Sequence, residues 1–177
     1  MGRLSALMEL VVNMESRQLG EQGLEDAMVR LDLQLKSGTH YEVPFSECLF
    51  WIYALHEWHK AIVNKAAGRD KTAFWKMNEQ SEEGKTLLAL VFTRSEFVGH
   101  RLLSVSHPDR SRSSILGADF LGSGPGQPVW TAEANLKSNR EGDDADPRRQ
   151  LYKQLVANQP ILKPLEVVQK YLTDLQT

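Results

Sequence analysis

The sequence predicts an all-α fold: a helical bundle of four to five main helices, a long Gly/Pro loop and a C-terminal helical hairpin. Three observations carry this. Apolar residues recur at helical spacing in successive segments, glycine and proline punctuate those segments, and one glycine- and proline-rich stretch separates the bundle from the tail. The expected organisation is a bundle over 1–108, a loop or linker over 109–146, and the hairpin over 147–177, packed back on the bundle.

The first segment, 4–17, carries Leu4, Leu7, Met8, Val11 and Val12 on one stripe, and Gly20 and Gly23 are expected to end it. The next segment reads as a helix through Leu24, Met28, Leu31 and Leu35, although Val29, Leu31, Leu33 and Leu35 also alternate as in a strand. Ser37-Gly38 stops it. Pro44, a favourable first-turn residue, opens a core helix expected to reach Ala67, before Gly68. Cys48, Trp51, Leu55, Trp58 and Ile62 would line its inner side, with Phe50 and Tyr53 widening the apolar surface. Residues 66–78 form a basic-aromatic connection compatible with one short helix.

A fourth helix begins near Ser81-Glu82-Glu83, where acids meet the positive end of the helix dipole, and is expected to run to Ser106, with Pro108 behind it. In the loop, Gly122, Gly124, Pro125, Gly126 and Pro128 lie close together. A short strand pair around 115–120 and 129–132 is compatible with its composition. In the hairpin, Leu151, Leu155, Leu165, Val168 and Leu172 would face the bundle.

Composition excludes some functions. The chain has 177 residues, 41% hydrophobic and 25% charged, enough for a real core. A formal charge of −2 gives no global field toward nucleic acid or anionic lipid, so any RNA contact would be local. The single cysteine, Cys48, forms no intrachain disulfide and is expected to be a small buried residue. The start, MGRLSALMELVVNMESRQ, is interrupted by Glu9 and lacks a small-residue cleavage site, and Ala6 stands where myristoylation wants Ser or Thr. With no membrane span of about 18 apolar residues, a cytoplasmic location with no membrane partner is expected.

The least ordinary feature lies on the fourth helix. At 100° per residue, Leu87, Leu88, Leu90, Val91, Val98, Leu102 and Val105 fall within an arc of roughly 160°, and Arg94 falls inside it. Arg101 follows one heptad later near the edge, while Glu96, His100 and His107 lie on the far side. A buried guanidinium cannot shed its charge and needs a partner. Arg94 therefore pairs with a carboxylate (Glu47 on the core helix, with Glu57 further round), or borders a cleft and binds an anion, or reaches solvent along its stem.

Other chemistry finds little footing. His56 and His59 are three apart on the core helix, but two ligands make no zinc site and no third lies nearby in sequence; they are expected to be amphipathic fillers beside Trp58. There is no phosphate loop or nucleophile elbow, so neither a metal nor a cofactor is expected.

The segment LLALVFTRSEFVGHRLL resembles the motif helix of the HEPN superfamily of all-α proteins. That signature is an arginine, a polar residue, and a histidine after four to six intervening positions; Arg94, Ser95 and His100 match it with five intervening residues. A second copy, Arg101-x5-His107, has the spacing but carries apolar Leu102 in the polar position. The tail pattern Tyr152-x-x-Leu155 through Leu172 is similar to the end of uncharacterised actinobacterial proteins with such motifs. The resemblance implies metal-independent RNA cleavage in a stress or defence system. Arg94 would neutralise the phosphorane, His100 would move the proton, and Ser95 would orient the phosphate, with Glu47, Glu96, Arg101 and His107 in support. On one straight helix Arg94 and His100 stand roughly 120° apart, so a distortion near Gly99 or a second subunit must bring them together. Members of that superfamily are similar in using a dimer cleft, so the resemblance implies a homodimer. The rival expectation is a non-catalytic helical module that binds a protein through its aromatic surface and tail.

Overall fold

The computed structural model describes residues 2–97, 105–106, 128–132 and 146–175, with side chains over 15–93, 128–132 and 146–175. Six helices and one small ladder run in the order α1 (Gly2–Ser37), α2 (Glu42–Ala66), α3 (Ala73–Asn78), α4 (Glu82–Phe97), β1 (Val105–Ser106), β2 (Val129–Trp130), α5 (Pro147–Leu155) and α6 (Leu162–Asp174). The all-α bundle expected from the periodicity is the architecture found. No helix among the described residues is long and apolar enough to cross a membrane.

The first difference from the sequence reading concerns glycine. Gly20 and Gly23 do not end a helix; both lie inside the uninterrupted α1. A Cβ at Gly20 would stand 2.8 Å from Leu55 Cδ2, and one at Gly23 would run into the Trp51 indole. These glycines therefore mark the close approach of α2 rather than chain breaks. The termini behave as their residues suggest. Gly38 takes φ +67°, and the following Thr39 N–H bonds the Gln34 carbonyl at 3.0 Å, closing α1 in a left-handed cap. At the end of α2, Gly68 and Arg69 are both left-handed (φ 67°). Ser81 Oγ accepts from Gly84 N–H at 3.0 Å, capping α4. Asp146 accepts from Arg148 N–H at 2.9 Å, with Pro147 next to it at the start of α5.

The core runs from Leu24, Ala27 and Leu31 on α1, through Phe45, Cys48, Ile52 and Leu55 on α2, to Leu165, Val168 and Leu172 on α6. At its centre is α4, where residues 87–93 are all buried. The expected 160° stripe is thus too narrow: α2, α3, α5 and α6 surround this stretch, and burial takes in the whole circumference. On α2 the buried face is Phe45, Cys48, Ile52, Leu55, His56 and His59, while Trp51 and Trp58 are only half-buried and Phe50 is exposed.

The second difference is at the far end of α4. The helix does not run to Ser106, because Val105 and Ser106 are extended and pair antiparallel with Trp130 and Val129. The strand expected at 129–132 exists over Val129–Trp130, but its partner is β1; residues 115–120 lie outside the described residues. On its other edge β2 is tied to the turn before α6. Trp130 N–H bonds the Gln159 carbonyl and Asn158 N–H the Trp130 carbonyl, both at 2.9 Å. A short extended segment, held on both edges and carrying a fully buried tryptophan, overrides helix periodicity here.

Where α3 meets α4, a Cβ on Gly84 would collide with the carbonyl oxygen and Cα of Asn78. The clash is with backbone and cannot be relieved by a rotamer change. Gly84→Ala is therefore expected to lower folding stability by roughly 1–3 kcal/mol despite alanine's better helix propensity. Urea unfolding checks this, and an unchanged or raised midpoint would contradict the close approach.

Candidate functional site

Arg94, Ser95 and Glu96 lie on the last described turn of α4. Arg94 thus comes directly after the enclosed residues 87–93. His100, Arg101 and His107 fall outside the described residues, and so does the question of whether His100 approaches Arg94.

The positions of Glu47 and Arg94 along the bundle follow from α3. Phe74 N–H bonds Asn64 Oδ1 near the end of α2 at 3.1 Å, and the start of α4 abuts Asn78. Helices α2 and α4 leave α3 from these ends and run in opposite directions. Arg94 lies about 15 Å along α4 from Gly84, and Glu47 about 25 Å along α2 from Asn64. Both belong to the end of the bundle away from α3. The Glu47 carboxylate is engaged there by Arg30 of α1, at 2.6 Å. The sequence-level pairing of Glu47 with Arg94 had not anticipated this partner; Arg30 is exposed and carries no irregularity in pattern.

Beside α4, helix α5 brings two arginines absent from the sequence reading. The Arg148 guanidinium lies 5.9 Å from the centre of the Phe92 ring and forks onto Asp146. Burial alone would raise the Asp146 carboxyl, but the hydrogen bonds and charge of Arg148 hold it below the usual range. Arg149 is itself buried. Neither had a signal in sequence, because α5 is polar overall and its enclosure depends on α4.

The second cluster is the histidine pair. His56 and His59, read as amphipathic fillers beside Trp58, lie deeper than that, in the core, with His59 fully enclosed. The His56 ring stacks on Tyr53 at 5.9 Å and meets Phe74 edge-on at 5.2 Å, and its Nδ1 lies 3.2 Å from a Glu57 oxygen. His59 meets Trp58 edge-on at 4.8 Å. Burial, the dominant cause, lowers both rings to a pKa of about 4. Glu57 partly opposes this at His56, and Arg17 adds to it at His59. Both are neutral imidazoles at pH 7.

Two further features bear on chemistry. Burial, and then the Glu47 charge, push the Cys48 thiol up to about 12, which makes it an inert packing residue. An open groove of about 660 Å³ lies between α1 and α6, lined by Glu15, Glu21 and Glu25 with Gln18, Gln22 and Gln169. Its carboxylates repel phosphate, so it is no RNA-binding face. Among the described residues no three His, Cys, Asp or Glu side chains converge as a metal would require. No family model matches the chain, and no curated protein or solved structure matches it.

Proposed function

We propose that the protein acts on RNA as a HEPN-like helical protein and metal-independent ribonuclease, with Arg94 and His100 as its reacting groups and Ser95 assisting. The observation that supports this most is the place of Arg94, the residue immediately following seven buried ones on the central helix. An arginine that follows an enclosed run is suited to hold an anion, and Glu47, the carboxylate nearest to hand in the sequence reading, is engaged by Arg30. An RNA phosphate meets that need.

In the proposed reaction the ribose 2′-oxygen attacks the adjacent phosphorus, and the 5′-oxygen leaves to give a 2′,3′-cyclic phosphate and a 5′-hydroxyl. His100 moves the proton and Arg94 neutralises the phosphorane. The roughly 120° separation of the two groups belongs to a regular helix running from Arg94 through His100, and His100 lies outside the described residues. The reading carries a homodimer with it, since paired motifs across a two-fold axis would concentrate positive charge that a chain of net −2 otherwise lacks.

In a cleavage assay with a chelator present, Arg94→Ala and His100→Ala are each expected to slow RNA degradation about 100-fold or more. Wild type that cuts no RNA, or variants that match it, would overturn the proposal. A second reading, a non-catalytic protein-interaction module, draws on Val29, Leu33 and Val43, which are 56%, 60% and 65% exposed around the α1–α2 turn. It predicts no cleavage by any of the three proteins.

A further inference from the structure

The contact between α1, α2 and α6 holds more unsatisfied polar nitrogen than any other place among the described residues. His59 is fully enclosed, and neither of its ring nitrogens makes a hydrogen bond; the neighbouring Trp58 Nε1 is buried and unpartnered as well. From α6 the Leu172 carbonyl comes within reach of the ring without the alignment of a hydrogen bond. From α1 the facing charge is Arg17, whose Nε bonds Glu21 at 2.7 Å and whose Nη2 donates to the Thr173 carbonyl at 3.2 Å. Its guanidinium lies 5.8 Å from the centre of the Trp58 ring. From α2 itself the facing titratable group is His56, with Glu57 and Lys60 paired beside it. Among the described residues, no free carboxylate faces the ring.

Neutral His59 is tolerated in this setting and charged His59 is not. An imidazolium has two N–H donors and here would find Arg17 as its nearest full charge, with Glu21 already engaged. The element best placed to yield is the last part of α6. Its hold on α1 includes the Arg17–Thr173 bond, and Leu172 packs in the core.

We propose that His59 is an acid-operated latch: protonation of its ring frees the last two turns of α6, from Val168 on, while the rest of the bundle stays folded. The inference is independent of any action on RNA. With the ring at about 4 when closed and near the ordinary 6.5 when open, opening grows about tenfold per pH unit and about 300-fold across that window.

Amide hydrogen exchange of the full chain between pH 7 and 4.5, corrected for intrinsic rates, reads this out. Amides of residues 168–174 are expected to lose protection more than tenfold and to stay less protected at each pH than those of α2 and α4, whose exchange follows global unfolding. His59→Leu is expected to abolish the response and His56→Leu to leave it in place. Equal protection of α6, α2 and α4 at every pH, or an α6 response surviving His59→Leu, overturns the proposal. Should His59→Leu fail to fold, the wild-type ring titration by NMR decides. Coincidence of the His59 midpoint with α6 opening supports the latch, and an opening that follows another group refutes it.

Discussion

Trp130→Ala is expected to lower the folding stability by about 3–5 kcal/mol, the usual range for truncating a large buried aromatic. Trp130 is fully buried in a chain segment of which little else is described, and its ring meets Phe45 at 5.2 Å and Tyr152 at 6.4 Å, both edge-on. Its indole N–H bonds the Ile161 carbonyl at 3.1 Å, and the strand around it is bonded on one side to β1 and on the other to the turn before α6. The residue thus joins α2, α5 and α6 where no helix connects them. Removal would leave a cavity, take one donor from the Ile161 carbonyl and loosen Tyr152, whose hydroxyl donates to Thr131 O at 2.6 Å. Trp130→Phe keeps the packing without the hydrogen bond and should fall between the two. Urea unfolding of the three proteins checks the order; a loss below about 1 kcal/mol for alanine would show that the strand is peripheral to the fold.

Lowering the pH from 7 to 5 is expected to remove about 2 kcal/mol of stability for each of the two buried histidines. The sign follows from the direction of the shift. Both rings sit at about 4 in the folded chain, against 6.5 when exposed. The unfolded chain takes up protons first as the pH falls below 6.5, so stability is complete above that value and declines until about 4. Below this, Asp146, held below the carboxylate range by Arg148, adds its own loss as it protonates. Unfolding at pH 5 should accordingly take up close to two protons, and replacing both histidines by leucine should flatten the profile above pH 5. A wild-type stability that is level between pH 7 and 5 would mean that the rings are solvated.

Local residues announced most of the helix ends. Gly68 follows the end of α2 and Gly38 that of α1, because caps act through neighbours a few positions away, while α2 starts at Glu42, two residues before Pro44. Gly20 and Gly23 could not be read this way. The same residue that breaks a helix also lets another helix approach, and only Leu55 and Trp51, more than 25 positions downstream, decide between the two. Val105 and Ser106 fit a helical period equally well until Trp130 and Val129 supply a ladder. The histidines were misjudged for a similar reason, since enclosure of His59 depends on α6, contributed by Leu172 from the far end of the chain. Of the candidate site, the helix carrying Arg94 and Ser95 was legible from the apolar run LLALVF, although its enclosure on every side was not. The partner of Glu47 was not, because exposed Arg30 looks like any surface cation.

The β1–β2 ladder has a consequence for chain length. Because Ser106 faces Val129 across the ladder, the stretch between them starts and finishes at one fixed base. For a flexible loop, closure at such a base costs only about 0.6 kcal/mol more per doubling of length, so the base and not the length of the span fixes where the chain leaves and rejoins the bundle.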